Sequence, residues 1–490
     1  MKRGILLAAF GSGSSQGEST LRRFDAQVRK AFPDVSVRWA FTSMLMRERL
    51  ASERKKSDSV HKALKKMAFE KFTHVAVQPV HVIPGLEYGD IVSDADELRA
   101  DGTFVDSVME APLPTYGFDY SLVRNPDIDT AYNALITYVI PGSPAAAVLK
   151  RGDWIVKVDT SYISKKYEAQ LLQGTGPLEI TLGKYQKVPP TEPPVEGEEE
   201  EDIYRVVPVG DPVEMGAAVS LVDNPIHCKK ILTLTDGSEV GYLMYNSFTA
   251  GTKDNPEKYN TELREWSDEL AQKNIHQVIL DLRYNKGGSI DCTQLLSTIL
   301  VSSFYLDQTM AFLEYNDKNT AKDATLIFNS DLLGTSGGKN LDLTTLIVLI
   351  SGETAGAPEM LMHSLNGKIQ QLIAIGSSTK GQNVATEQFI NEEFLWSINP
   401  AVCTIYNSEH DTYGGFKPTY AVNASTDYLT FLPFGDEKET LLSVALGVLN
   451  KTYPPKDEET EETTKAQFKI EKSVISPASR RFSSNGLRLK

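Results

Sequence analysis

The sequence predicts an α/β protein of several domains. The chain has 490 residues and 41% hydrophobic content, enough for more than one packed core. In its first hundred residues apolar runs alternate with stretches of helical spacing. Further on, two stretches rich in apolar residues, Val278 to Leu282 and Leu343 to Ile350, each lead into a glycine-containing turn. Strands that alternate with helices build parallel sheets.

Charge and composition narrow the function classes. The formal net charge is −15, although the stretch from Lys2 to Lys66 is locally basic, so no nucleic-acid role is expected. Cys228, Cys292 and Cys403 are odd in number and far apart, which suggests buried small side chains rather than a disulfide framework or a zinc motif. Met1-Lys2-Arg3 is followed by an apolar run too short for a signal peptide, so the chain as encoded is expected to start in the cytoplasm. No apolar run approaches the roughly 20 residues of a membrane span.

Gly4 to Phe10 reads as a strand that ends in the loop Gly11 to Ser15, with Leu21, Phe24, Val28 and Phe32 on one face of a following helix, Ser19 to Phe32. Val35 to Phe41 reads as a second strand, Ser57 to Phe72 as a second helix region, and His74 to Ile83 as a third strand. The loops Gly11 to Ser15, Thr42-Ser43 and His81 to Glu87 would share the rim at the carboxyl ends of the strands. The stretches GILLAAFGS, AFTSMLMRERL and THVAVQPVHVIPGLEY resemble the amino-terminal half of the anaerobic sirohydrochlorin cobaltochelatases, over about residues 1–92. The resemblance implies a divalent metal, cobalt, at Glu87 with His81 nearby, and a tetrapyrrole to receive it. The family's second half is missing, and a homodimer could in principle replace that lobe. The plainer reading is that His74 and His81 flank a buried strand.

Residues 93–115 lack a sustained period and read as a linker. Tyr116-Gly117-Phe118 then leads into an alternating strand, Asp119 to Arg124; PGSPAA at 141–146 and GDWI at 152–155 follow. The stretch 116–186 resembles a PDZ domain of processing peptidases. That implies a receptor for peptide or protein C-termini, with Tyr116, Gly117, Phe118, Asp119 and Tyr120 as the binding stretch. Residues 187–203, rich in proline and glutamate, read as a mobile loop. From 204 to 452 the elements read as Val240 to Tyr245, a helix from Asn260 to Lys273, the strands 278–282 and 343–350, and a helix from about Pro358 to Leu365. Their order suits a ClpP/crotonase-like spiral α/β core. Here GYLMYNSFTAG, LDLRYNKGGS, TKGQNV and LPFGDEKETLLS resemble the tail-specific, or C-terminal processing, serine peptidases of the Bacteroides-like envelope type. The whole resemblance spans about 104–452 and implies a cell-envelope location and no cofactor for this module.

These peptidases use a serine and a lysine that acts as a neutral base. The family's nucleophile motif matches Thr354-Ala355-Gly356-Ala357-Pro358-Glu359, and its base motif matches Gly381-Gln382-Asn383-Val384. Gly356 therefore stands at the nucleophile position and Gln382 at the base position, and the resemblance becomes one to a pseudoenzyme. The oxyanion-hole positions, Gly287 or Gly288 and Ala357, remain. One alternative is a relocated dyad of Thr354 and Lys380, with Lys380 two residues before Gln382 on one strand face. Another is a chimeric gene product or remnant, because two incomplete families are joined. Residues 453–490 read as a tail, solvated at first and then basic, or as a short docked strand.

Overall fold

The computed structural model describes residues 2–9, 15–53, 58–72, 74–80, 114–189, 203–252, 254–387, 389–391, 396–398, 400–423, 428–453, 471–472 and 486–488. It divides into two compact units, residues 1–110 with 389–398, and residues 111–388 with 399–490. Among the described residues, no helix is long and apolar enough to cross a membrane.

In the first unit, β1 (Arg3–Ala9), β2 (Ser36–Phe41) and β3 (His74–Pro79) form a parallel sheet in the order β2-β1-β3. Parallel neighbours need crossover connections, supplied by α1 (Ser15–Ala31), α2 (Met44–Ser52) and α3 (Val60–Phe69). The core joins Leu6, Ala8 and Ala40 of the sheet to Val60, Ala63, Leu64 and Met67 of α3. Gly4 permits that contact, because a Cβ there would lie 2.4 Å from the end of Met67. Helix α1 starts four residues before the expected Ser19. Helix α2 was not expected: the consecutive apolar residues Met44, Leu45 and Met46 hide a helical period, and Ser43 caps the helix by accepting from the Met46 amide. The loop glycines Gly11 and Gly13, and His81 and Glu87, lie outside the described residues.

The second unit begins with an antiparallel sheet. Its strands are β4 (Phe118–Arg124), β5 (Tyr132–Val139), β6 (Trp154–Val158), β7 (Ser161–Tyr162), β8 (Leu178–Val188), β9 (Ile203–Pro208) and β10 (Val213–Met215), with a short helix α4 (Glu168–Leu172). This corrects the expected division at 204. Strand β9 pairs with β8 from Val188↔Ile203 onward, and β10 pairs with β8 at Val213↔Ile180, so the sheet runs on to 215. The Pro/Glu-rich stretch interrupts a hairpin instead of separating two modules.

The larger core is built on β11 (Ile226–Thr233), β12 (Glu239–Tyr245) and β13 (Gln277–Asp281). A second layer begins with β14 (Gly287–Ser289), β15 (Thr309–Tyr315) and β16 (Ala324–Ile327). The chain returns to the first layer in β17 (Thr345–Ile350) and β18 (Gln371–Gly376), then runs through β19 (Val384–Thr386). A separate hairpin pairs β20 (Phe389–Asn391) with β21 (Trp396–Ile398). Strands β22 (Ala401–Asn407) and β23 (Tyr420–Ala421) complete the two layers, and the stretch beyond 453 contributes β24 (Glu471–Lys472) and β25 (Gly486–Arg488). The central sheet has the order β11-β12-β13-β17-β18-β23 and is parallel from β12 onward; the second layer has the order β14-β25-β19-β22-β15-β16. Helices α5 (Lys258–Gln272), α6 (Ile290–Leu300), α7 (Ala357–Leu365) and α8 (Thr440–Leu449) cover the central sheet.

A parallel sheet covered on both faces needs apolar side chains on both, which explains the unbroken runs in β13 and β17. Leu280 and Val348 pack with Trp266 and Leu361 on one side, while Ile279, Ile347 and Leu349 pack with Leu442 and Leu446 on the other. At the end of β13 sits a buried charge cluster. The Arg283 guanidinium donates to both oxygens of Asp281 and, at 2.6 and 3.0 Å, to both oxygens of Glu439. Arg151 reaches Glu439 at 3.5 Å and lies over the rings of Phe431 and Phe434.

Candidate functional site

The site forms where β17 passes into α7. Gly356 occupies this turn with φ 70° and ψ −105°, a region that side-chain-bearing residues enter only with strain. Such a turn presents the residue at its apex to a groove, as a nucleophile requires, but glycine brings no nucleophilic atom there. Helix α7 begins at Ala357, so the amides of its first turn have no partner within the helix. Thr354 is fully buried three residues along from Ser351. Its hydroxyl donates to the Leu282 carbonyl at 3.0 Å and accepts from the Ser351 amide at 3.0 Å, so it closes the turn. The Ser351 hydroxyl donates in turn to the Arg283 carbonyl.

Lys380 and Gln382 lie in the loop that precedes β19, not on a strand face as expected. The reason is Gly381, whose positive φ of 85° and close approach to the Gly414 carbonyl bend the backbone out of extension. The Lys380 amide donates to the Thr354 carbonyl at 3.0 Å, so the loop is tied to the nucleophile turn through its backbone. Lys380 itself is exposed, whereas a catalytic lysine needs a desolvated pocket. Gln382 is half-buried, and its carbonyl accepts from the Tyr413 hydroxyl at 3.0 Å.

The residue that organises both loops is Glu359. Its carboxylate is fully buried in the first turn of α7, where the helix dipole favours a negative charge. One oxygen accepts from the amides of Gly356 at 2.9 Å and Gln382 at 2.8 Å; the other accepts from the Gly381 amide at 2.6 Å and the Thr379 hydroxyl. The residues expected at the nucleophile and base positions, Gly356 and Gln382, are thus fastened to a single carboxylate. Sequence reasoning placed Glu359 in the motif without a role. The signal was its spacing three residues after the cap residue Gly356, from where a glutamate reaches back to the cap amide.

The third wall is the turn before β14. Asn285 is fully buried; its side chain donates to the Tyr245 carbonyl at 2.8 Å and accepts from the Gly287 amide at 3.0 Å. Of the two glycines expected as oxyanion donors, Gly287 therefore spends its amide inside the turn. Gly288 has a φ of 137°, and a Cβ on it would lie 2.2 Å from the Phe248 carbonyl oxygen. The Ala355 amide donates to the Asn285 carbonyl at 3.1 Å, which sets the glycine turn against the nucleophile turn. Strand β25 lies parallel between β14 and β19, with Gly288↔Leu487 and Ala385↔Leu487 in register. Leu487 is fully buried.

The expected peptide-binding stretch opens the antiparallel sheet. The rings of Tyr116, Phe118 and Tyr120 are buried in that sheet's core, and Asp119 is buried as well. Gly117 has a φ of 85°, and a Cβ there would lie 2.2 Å from the Ser143 Cβ. Its amide donates to the Thr115 hydroxyl at 3.0 Å, a bond a carboxylate would have to replace. The backbone edge of β4 carries β24 in antiparallel register, Glu471↔Leu122 and Lys472↔Ser121.

Among the described residues no group of three or more His, Cys, Asp or Glu side chains converges as metal ligands would. His81 and Glu87 lie outside those residues. The cysteines are free, with Cys292 and Cys403 buried and Cys228 half-buried.

Comparison with known proteins finds two families along the chain, with a boundary that differs from that of the compact units. The cobalt chelatase family model matches residues 3–141, and the peptidase family S41 model matches residues 239–420. The first match runs past residue 92 and through β4 and β5. A sirohydrochlorin cobaltochelatase of Nitratidesulfovibrio vulgaris is 54% identical over 152 residues, 31% of this chain and 51% of the relative. The chain thus spans about half the length of that curated relative. A Bacteroides fragilis NCTC 9343 protein assigned to the S41 proteases has a solved structure 42% identical in sequence, with a TM-score of 0.64 over 71% of this chain and 85% of its own. A photosystem II D1 C-terminal processing protease, 17% identical, aligns over 67% of this chain and 76% of its own with a TM-score of 0.34.

Proposed function

Because the chain belongs to peptidase family S41, we propose that it binds extended peptides and protein C-termini in the S41 groove without cutting them. The observation that carries this reading is Gly356: the turn where the family's motif places a nucleophile has the strained backbone of a nucleophile turn and no side chain. Gln382 at the base position adds to it, since an amide takes no proton near neutral pH. Loss of either group alone lowers turnover by several orders of magnitude. The rival relocated dyad meets two obstacles, a Thr354 hydroxyl engaged in both directions and a solvated Lys380. In this reading the antiparallel sheet at 114–215 is a PDZ-like receptor whose β4 edge accepts a strand.

The test sets the full chain beside a Gly356→Ser/Gln382→Lys double variant, with an unfolded protein carrying an apolar C-terminus, and follows binding and cleavage together. Binding by both and cleavage by the double variant alone is expected. Cleavage by the unaltered chain, abolished by Thr354→Val, would establish the relocated dyad instead.

The chelatase-like half is read as a passive or pairing module. The named activity of its relative, cobalt insertion into sirohydrochlorin, needs a base for the pyrrole protons and a cleft closed by a second lobe, and this chain carries about half of that protein. Incubating the full chain with cobalt(II) and sirohydrochlorin should leave the tetrapyrrole absorbance unchanged; conversion to the cobalt chelate would overturn the passive reading.

A further inference from the structure

The stretch that follows α8 adds a strand at both places the proposed function needs open. Glu471–Lys472 pairs with the edge of β4 that faces away from β5, which is the edge an incoming peptide would join. Gly486–Arg488 runs parallel to two strands at once, with Gly287↔Gly486, Gly288↔Leu487 and Ser289↔Arg488 on one side, and Ala385↔Leu487 and Thr386↔Arg488 on the other. Strands β14 and β19 enter one sheet through this segment. It therefore lies between the glycine turn expected to hold an oxyanion and the strand that continues from Gln382, along the course an extended substrate would follow.

The fit is specific. Leu487 has 0% exposure and joins the larger hydrophobic core beside Ala385 and Cys403. The Thr386 hydroxyl donates to the Leu487 carbonyl at 3.0 Å. Gly486 stands opposite Gly287 in the register. Arg488 is half-buried in register with Ser289 and Thr386. A strand held on both edges by backbone bonds, with one side chain in an apolar pocket, is peptide recognition by strand addition.

We propose that this stretch is the protein's own ligand: Gly486–Arg488 fills the groove between β14 and β19, Glu471–Lys472 covers β4, and an external peptide binds only when the stretch leaves. The inference rests on the peptide-binding reading above. It also names the class of competitor, an extended segment with a small residue, then an aliphatic residue, then a basic one. Intramolecular docking gives the stretch a high effective concentration, so a free peptide of the same sequence competes poorly with it. Replacing Leu487 by aspartate removes the buried anchor, and losing one buried leucine shifts an opening equilibrium about ten- to a hundredfold.

The experiment uses the full chain and a fluorescein-labelled peptide of residues 484–490. Backbone hydrogen exchange of the unaltered chain is measured first, then peptide anisotropy titrations of the unaltered chain, Leu487→Ala and Leu487→Asp. The expected result is protected amides at 486–488 in the unaltered chain, and peptide affinity that rises at least tenfold in Leu487→Asp, with Leu487→Ala between. Should Leu487→Asp fail to fold, Leu487→Ala carries the comparison. Unprotected amides at 486–488 would overturn the proposal whatever the peptide does. Equal, tight binding by all three chains would overturn self-occupancy while leaving the peptide-binding reading intact. Protection without peptide binding in any variant would sink the peptide-binding reading and this inference with it.

Discussion

Glu359→Gln should weaken both walls of the site at once. The carboxylate accepts four donors, two per oxygen: the amides of Gly356 and Gln382 on one, and the Gly381 amide and Thr379 hydroxyl on the other. Glutamine keeps one accepting oxygen and places an NH2 group at the other. In either orientation two donors lose their acceptor and face another donor. A hydrogen bond to a charged group contributes about 1.5–3 kcal/mol, so two amount to about 3–6 kcal/mol. Removing a buried charge returns part of that, because its desolvation was unfavourable, which leaves a net loss of about 2–4 kcal/mol. Urea unfolding followed by tryptophan fluorescence, of which fully buried Trp266 reports on this core, measures the global loss. Hydrogen exchange at Gly356, Gly381 and Gln382 measures the local one, and these amides should exchange faster relative to the rest of the core. A loss below about 1 kcal/mol with unchanged exchange at those three amides would refute the view that Glu359 holds the two loops together.

Acid should destabilise the second unit through Glu439. Burial raises this carboxyl, but attraction and hydrogen bonds from Arg283, with help from Arg151, outweigh it and hold the value at about 2, against 4.5 for an ordinary glutamate. Because the folded value is depressed, the stabilisation is complete above pH 4.5 and is lost as pH falls toward 2; that gap corresponds to about 3 kcal/mol. Glu439→Gln should flatten this part of the stability profile, and an unchanged slope between pH 4.5 and 2 would count against the assignment. Gly288→Ala should cost about 2 kcal/mol or more, since its φ of 137° disfavours a side chain and the new methyl would meet the Phe248 carbonyl; a melting temperature within about a degree of the parent would contradict this. Burial pushes the Cys292 thiol up to about 12 and the Cys403 thiol up to about 11, so iodoacetamide at pH 8 should leave both unmodified in the folded chain and label all three cysteines in urea. Native labelling of Cys292 at the rate of a free thiol would show that its burial is wrongly assigned.

The elements that carry the candidate site were legible in the chain because their signals are local. The unbroken apolar runs of β13 and β17 announce a sheet covered on both faces, while the assignment of Gly356 and Gln382 to the expected nucleophile and base positions rests on motif spacing alone. Periodicity also placed α5 and α7 within two residues of their ends in the structure. Periodicity reports which face of an element is buried; it does not report which distant element covers that face or receives its backbone bonds. Three of the four partners of Glu359 lie 20 to 23 residues further along in a loop, and two of those three are backbone amides, which no side-chain pattern encodes. Strands β9 and β10 join the earlier sheet across a stretch that reads as a boundary, and Lys380 leaves the strand it was expected to share because Gly381 turns the backbone. Most plainly, Leu487 pairs with Gly288 and Ala385, residues about two hundred and one hundred positions away. The local composition of 486–488 marks it neither as core nor as ligand. Only the tertiary structure decided that, because the place between β14 and β19 that receives this strand exists nowhere in the chain until the chain has folded.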